Sequence, residues 1–379
     1  MRVSHLYRII RILLIGSTTL LLSCKQNKPV VTGTVTAGWE HLELKLDSVF
    51  TAYVGSNEPG VAVMVAYNGK TLFSKGYGLR DLETKQPLTP TSNMELASVS
   101  KQFTALAILS LVEQGKLSLS DTLFNILPYD TFRNVTIQQL LNHTSGLDDA
   151  EEYFYTHWDA SKIANNNDVL EWYVEKNKSV KTAHQNFRYN NGTYELIPLV
   201  VEKVSGERYD KFLQKHIFEK AGMEHSVAFD LNHPVSIRER AHYYHQDSSG
   251  VWNKMDGHPL TGLFGAGGIY TSLSDYFQYD QALRDSSLLS KEMHRLIFKP
   301  TSIETTNGKE QQYAMGWVVN DSMAEHGGGW FGVNTHVRRY LDRPLTIVLF
   351  ANRDDFFERE LISVTDSIVR SAIEKTPFE

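Results

Sequence analysis

Apolar and polar positions change their period several times along the chain. In "WEHLELKLDSVFTAYV", Leu42, Leu46, Val49 and Phe50 fall at the spacing of one helical face. "GVAVMVAYNGKTLFSKGYG" follows, with two β-rich runs around Asn68-Gly69, a dipeptide suited to a tight hairpin turn. "QFTALAILSLVEQG" is apolar nearly all round and predicts a buried helix closed by Gly115. Residues from about 95 to 300 read mainly as helices and long loops. Strand patterns return in "YAMGWVV" (313–319), "GVNTHVRRYL" (332–341) and "LTIVLFAN" (345–352). Phe357, Leu361, Val364 and Ile368 then predict a closing amphipathic helix.

Strands at both ends with helices between them predict an α/β chain of the α+β type. Hairpins pair strands antiparallel. One antiparallel β-sheet, flanked by N- and C-terminal helices, would carry a large inserted helical region. The domain is expected over 41–375, with its sheet part at 41–85 and 310–375 and the helical insert at 86–309.

The first residues read differently. Arg2, Arg8 and Arg11 precede the apolar segment Ile12–Leu22, which is short for a membrane span and fits a secretory leader over 1–23. Cys24 is the only cysteine, which leaves no internal disulfide and no cysteine-based zinc site. "LLSC" resembles a lipobox. That resemblance implies a bacterial lipoprotein, with Cys24 lipidated, residues 24–40 as a tether, and the domain held at the cell envelope facing periplasm or exterior. The 44 acidic and 38 basic residues give a net charge of −6 without basic blocks, which argues against a nucleic-acid partner.

The chemistry starts at Ser98-Val99-Ser100-Lys101, directly ahead of the buried helix and the one S-x-x-K of the chain. Residues three apart share a helical face, so Ser98 can meet Lys101, whereas Ser100 cannot. Burial disfavours an ammonium, so a lysine here can serve as base to a serine nucleophile. Helix N-terminal N–H groups suit an oxyanion. On these residues alone the same serine reads first as an N-cap.

Two later motifs bear on that choice: Tyr189-Asn190-Asn191 and His326-Gly327-Gly328. With the first motif, and with "LLNHTSGL", "FRYNNGTYELIPLVVEKVSG", "GAGGIYTSLSDYFQYDQAL" and "YAMGWVV" around them, the chain resembles the serine hydrolases related to class C β-lactamases and low-molecular-mass penicillin-binding proteins. The resemblance covers about 41–375. It implies a β-lactamase/transpeptidase-like fold, an acyl-enzyme and no cofactor. It makes Ser98 the nucleophile and Lys101 the base or its partner. Tyr189 would shuttle the proton or activate water, and Asn191 would hydrogen-bond Lys101 and a substrate carbonyl. The N–H groups of Ser98 and Gly329 would form the oxyanion hole, with Gly329 on an edge strand.

β-Lactamases usually carry Lys-Thr where this chain has His326-Gly327. A mostly neutral histidine and a glycine predict weak carboxylate recognition, unless Arg188 or Arg338 substitutes. "HGG" resembles D-amino-acid-specific peptidases and esterases. The expected substrates are esters or small amides and peptides, including D-amino-acid ones, with peptidoglycan fragments within reach. The alternatives are a class C-like β-lactamase or D-Ala-D-Ala carboxypeptidase and, from another class, a non-catalytic ligand- or penicillin-binding lipoprotein.

Other motifs carry less. His143 in "HTSGL" is expected to be a scaffold histidine, and "GAGG" a tight backbone passage. His242 and His245 have metal-pair spacing, but no completing cluster is evident, so no metal is expected. Gly327–Gly332 satisfies G-x-G-x-x-G, yet β-like sequence follows where a dinucleotide site needs a helix.

Overall fold

The computed structural model describes residues 37–176, 187–306, 309–355 and 358–375. The expected leader, Cys24 and Phe357 lie outside the described residues. The first helix, α1 (Ala37–Tyr53), opens inside the stretch expected to be a tether.

An eight-stranded sheet forms the frame. Its strands are β1 (Val61–Tyr67), β2 (Lys70–Tyr77), β3 (Ser302–Thr306), β4 (Lys309–Ala314), β5 (Trp317–Val319), β6 (Met323–Trp330), β7 (Val333–Tyr340) and β8 (Leu345–Ala351). The order across the sheet is β3-β4-β5-β6-β7-β8-β1-β2, with all neighbours antiparallel. The two ends of the chain therefore meet at the β8–β1 pair. The β1–β2 turn is the expected one: Asn68 and Gly69 both have positive φ, at 51° and 72°.

β1 is buried on both faces, which explains its unbroken apolar run. Val61, Val63 and Val65 pack under α1 and the closing helix α5 (Glu358–Lys375), whereas Ala62, Met64 and Ala66 join the core beneath the helical region. The stripe of α5 is rotated from the expected one. Leu361, Ile362, Thr365 and Val369 are buried, while Val364 is 37% exposed.

Three features depart from the sequence reading. "YAMGWVV" is two strands, because Met315 and Gly316 turn the chain with φ of 43° and 90°. β3 falls within the stretch assigned to helices. A small sheet of Met94–Glu95, Ile269–Thr271 and Val227–Ala228 lies inside the helical region, its strands too short to show a period. That sheet holds the chain just before Ser98, with Leu96 N–H donating to Ile269 O at 2.9 Å.

Candidate active site

Ser98 lies in a 3-10 turn, Ala97–Ser100, that runs directly into α2 (Lys101–Glu113). Ala97 has φ of +47°, a left-handed conformation that a residue with a side chain adopts only when its surroundings hold it there. The turn sends the two serines apart. Ser100 is buried and accepts from Ile269 N–H at 3.4 Å, while Ser98 lines a cavity of about 20 Å³.

Lys101 is the first residue of α2 and is fully buried. Its ammonium has three donors and three acceptors around it: Ser98 Oγ at 3.2 Å, Asn191 Oδ1 at 2.7 Å and Ala266 O at 3.2 Å. The last acceptor belongs to "GAGG", where a Cβ on Gly265 would stand 2.2 Å from Tyr194 O. The expected tight passage is thus what brings that carbonyl to the lysine.

Tyr189 and Asn191 stand at the start of α4 (Asn191–Ser205), which Asn190 caps by accepting from Thr193 N–H at 2.9 Å. The Tyr189 ring lies 4.9 Å from Lys101 Nζ. Asp149, not foreseen, fixes this corner. It caps α3 (Ala150–His157) through Glu151 N–H at 3.1 Å and also accepts from the N–H groups of Asn191 and Gly192, both at 2.9 Å. One carboxylate therefore joins two helix N-termini, where a negative charge is favoured. Asn191 Nδ2 donates to Glu151, so a hydrogen-bonded chain runs from Ser98 through Lys101 and Asn191 to Glu151.

The third motif lies on β6, which is an interior strand of the sheet and not the expected edge. Its pairing with β5 covers only Ala324 and Glu325, so Gly327–Trp330 lack that neighbour and face the Ser98 turn. Gly329 lines the cavity with Ser98; His326, Gly327 and Gly328 do not. Gly328 serves close approach instead, because a Cβ there would meet Leu96 O at 2.5 Å and Thr335 Oγ1 at 2.3 Å. Thr335 in turn donates to Leu96 O at 2.8 Å, tying β7 to the turn.

His326 is buried beside Tyr313 and Tyr189. Burial, with the charge of Lys101 nearby, pushes its imidazole down to about 3. Nδ1–H donates to Gly327 O at 2.6 Å, which leaves Nε2 to accept from Tyr313 OH at 3.3 Å. Neither arginine stands in for the missing Lys-Thr pair. Arg188 pairs with Asp148 and Glu152 on the surface, and Arg338 with Glu325 and Asp366. His143 is a scaffold residue, as expected: Nδ1 accepts from Asn190 N–H at 3.2 Å and the ring packs 4.4 Å from Tyr189. His242 and His245 turn to different carboxylates, Asp256 and Asp354.

Three buried glutamates also reach the cavity: Glu95, Glu151 and Glu195. No motif or spacing marks them; the only available signal was acidic residues within apolar stretches. Burial pushes Glu95 up to about 7. Burial and neighbouring carboxylates push Glu151 and Glu195 upward as well.

These groups shape acid stability. The unfolded chain binds protons on His143 and His326 below their ordinary value of 6.5, and the folded chain refuses them. Those terms lower stability as pH falls. The three carboxyls work in reverse, because folded they keep protons above their ordinary value of 4.5 and lose that advantage as pH rises toward 7. The two sets oppose each other between pH 4.5 and 6.5. Below 4.5 the imidazoles act unopposed, reinforced by Glu325, which despite burial His336 and Arg338 hold down to about 2. The unfolding free energy from urea melts should rise gently as pH falls from 6.5 to 4.5, because three retained protons outnumber two refused ones, and then fall by about 1.4 kcal/mol per pH unit for each refused proton. His326→Gln should flatten that limb. A steady decline beginning at pH 6.5 would contradict the account.

Comparison with known proteins agrees with this geometry. The Beta-lactamase family matches residues 46–365. Penicillin-binding protein 4* of Bacillus subtilis is 32% identical over 330 residues, covering 83% of this chain and 73% of that protein. A penicillin-binding protein from Bacillus halodurans superposes with a TM-score of 0.74 at 25% identity, over 86% of this chain and 99% of that one. The D-amino acid amidase of Ochrobactrum anthropi does so with a TM-score of 0.74 at 21% identity, over 88% and 99%. The chain belongs to the beta-lactamase family and is a serine hydrolase.

Proposed function

We propose that the protein hydrolyses esters or small amides and peptides, those of D-amino acids included, through an acyl-enzyme on Ser98. The observation that carries this reading is the buried lysine joined to Ser98 Oγ at 3.2 Å and to Asn191 Oδ1 at 2.7 Å. Ser98 Oγ bonds to the substrate carbonyl carbon and yields its proton to the Lys101–Tyr189 pair, one member of which must stand deprotonated, as amine or phenolate, to take it. That proton passes to the leaving amine or alcohol as its bond to carbon breaks. Water then adds to the acyl-enzyme, and Ser98 regains a proton as the acid departs. The N–H groups of Ser98 and Gly329 are the proposed oxyanion donors.

Among the described residues the two candidate cations, Arg188 and Arg338, are turned to other carboxylates, which favours this reading over an efficient β-lactamase or a D-Ala-D-Ala carboxypeptidase. Kinship with a penicillin-binding protein supports slow acylation by penicillins as a side reaction. The reading extends to location on sequence alone, as a lipoprotein anchored at Cys24.

A fluorophosphonate and a fluorescent penicillin, followed by peptide mapping of the membrane-extracted protein, test these points together. The expected result is an adduct on Ser98 that is lost in Ser98→Ala, with diacylglycerol on Cys24. An unlabelled Ser98 would leave the non-catalytic reading standing.

A further inference from the structure

A groove of about 630 Å³ opens between the helices Leu273–Arg284 and Lys291–Ile297 and the β7–β8 turn. Arg284, Arg295, Arg339 and Arg343 line it, against one acid, Asp342. Arg339 is buried, and its bonds to Asp280 leave from Nη1. Its Nε is buried with no acceptor among the described residues. Asp280 is shared, since it also pairs with Arg284 at 3.1 Å and accepts from the Thr346 hydroxyl at 2.7 Å. Two guanidiniums on one carboxylate leave a positive charge over. A guanidinium does not shed its proton, so an anion is what removes the penalty of that charge.

The groove is larger than one inorganic ion needs, and part of it is apolar. Leu283, Phe298, Leu341 and Pro344 share its walls, and Leu341 is 38% exposed. Its place in the fold is a second observation. Along α1, Val54 lies where a Cβ on Gly78 would meet it at 2.9 Å, and Asp47 bonds to Lys75 and Tyr77. The helix therefore begins toward the Asn68-Gly69 end of β1 and β2. Asn68 N–H donates to Pro344 O at 2.9 Å, which puts the groove at that same end. The active site lies at the other. Gly329 pairs with Asn334, and Tyr340 on the groove is six residues further along β7, about 20 Å away. Cys24 stands thirteen residues ahead of Ala37, a reach of at most about 45 Å.

We propose that this groove takes the phosphate group of an anionic phospholipid headgroup, with Arg295, Arg339 and Arg343 around the phosphate and the apolar wall against the glycerol and first acyl carbons. Bound so, the domain rests on the bilayer by the end at which α1 begins, and turns Ser98 away from it. The phosphate site stands on the groove alone, whereas its use at a bilayer rests on the lipid-anchored reading of Cys24.

The test titrates the full chain, purified in a neutral detergent, by calorimetry against detergent blanks. The ligands are dihexanoylphosphatidylglycerol, dihexanoylphosphatidylcholine, glycerol 1-phosphate and inorganic phosphate. The phosphatidylglycerol should bind at least about tenfold more tightly than each of the others. Arg339 also holds Asp280 in the core, so the variant of choice is the exposed pair Arg295→Gln/Arg343→Gln, its fold checked by circular dichroism. That variant should bind the lipid about 30-fold more weakly, about fivefold for each arginine. Unchanged affinity in the variant, or no binding of any of the four ligands, overturns the site. Phosphate or glycerol 1-phosphate binding as tightly as the lipid overturns the lipid as its occupant. Mass spectrometry of Cys24 reads the anchor separately: an unlipidated Cys24 overturns the use at a bilayer and leaves the phosphate site to the titration.

Discussion

Lys101→Met lowers kcat/KM toward an activated ester by about 10³- to 10⁴-fold, the upper range for loss of a positioned base. That is about 4 to 5.5 kcal/mol of transition-state stabilisation. Methionine fills nearly the same volume, so the loss is of chemistry more than of packing. Three bonds vanish with the ammonium: the one to Ser98 Oγ at 3.2 Å, and those that hold Asn191 Oδ1 at 2.7 Å and Ala266 O at 3.2 Å. The last two leave buried acceptors unpaired, at about 1–3 kcal/mol of folding stability each. The measurement therefore belongs at a temperature where circular dichroism shows the variant folded. Asn191→Ala keeps the base and loses only its orientation, so its loss should be smaller, about 10- to 100-fold. A loss below tenfold for Lys101→Met would mean that the proton from Ser98 leaves by another route, with Tyr189 the nearest candidate.

Periodicity revealed those parts of the fold that one local pattern decides. The stripe of Leu42, Leu46 and Phe50 is buried as read, because spacings of four residues put them on one face. Ser98 could be told from Ser100 by the same rule, and Ser100 does turn into the core to meet Ile269. β6 could not be read so. "MAEHGGGW" has neither alternation nor β-branched residues, and becomes a strand because β7 pairs with its whole length. The stripe of α5 was misplaced because Thr365 is buried in it, and a polar residue gives no hydrophobic signal. The cavity's carboxyls escaped for a topological reason. Glu95, Glu151 and Glu195 come from a short strand and two helices, far apart in sequence, and only the packing of α3 on α4 beside the Ser98 turn brings them together. Asp149 has the same character: as an N-cap of α3 it was locally ordinary, and its grip on Asn191 and Gly192 is tertiary.

Gly328→Ala should damage both fold and activity, although it adds one methyl group to an extended strand where alanine is otherwise preferred. The new Cβ would stand 2.3 Å from Thr335 Oγ1, 2.5 Å from Leu96 O and 3.1 Å from Ser98 N. The threonine hydroxyl can rotate away, at the cost of its hydrogen bond to Leu96 O. The Leu96 carbonyl cannot, because Leu96 N–H is already bound to Ile269 O and the following residue, Ala97, is held at φ of +47°. The strand and the Ser98 turn must therefore separate. Overpacking of this kind costs about 1–3 kcal/mol. The larger effect is on chemistry: displacing Ser98 from Gly329 and Lys101 by about 1 Å costs on the order of 100-fold in rate. Gly327→Ala is the control for stability, since its Cβ would find His336 Nδ1 no closer than 3.5 Å and Thr335 O no closer than 3.7 Å. Urea melts of the two variants, with the rate of fluorophosphonate labelling of Ser98 in Gly328→Ala, check the contrast. Should Gly328→Ala melt with Gly327→Ala and label at the unaltered rate, the turn is not held by its contact with β6, and the glycine at 328 has no steric reason to be there.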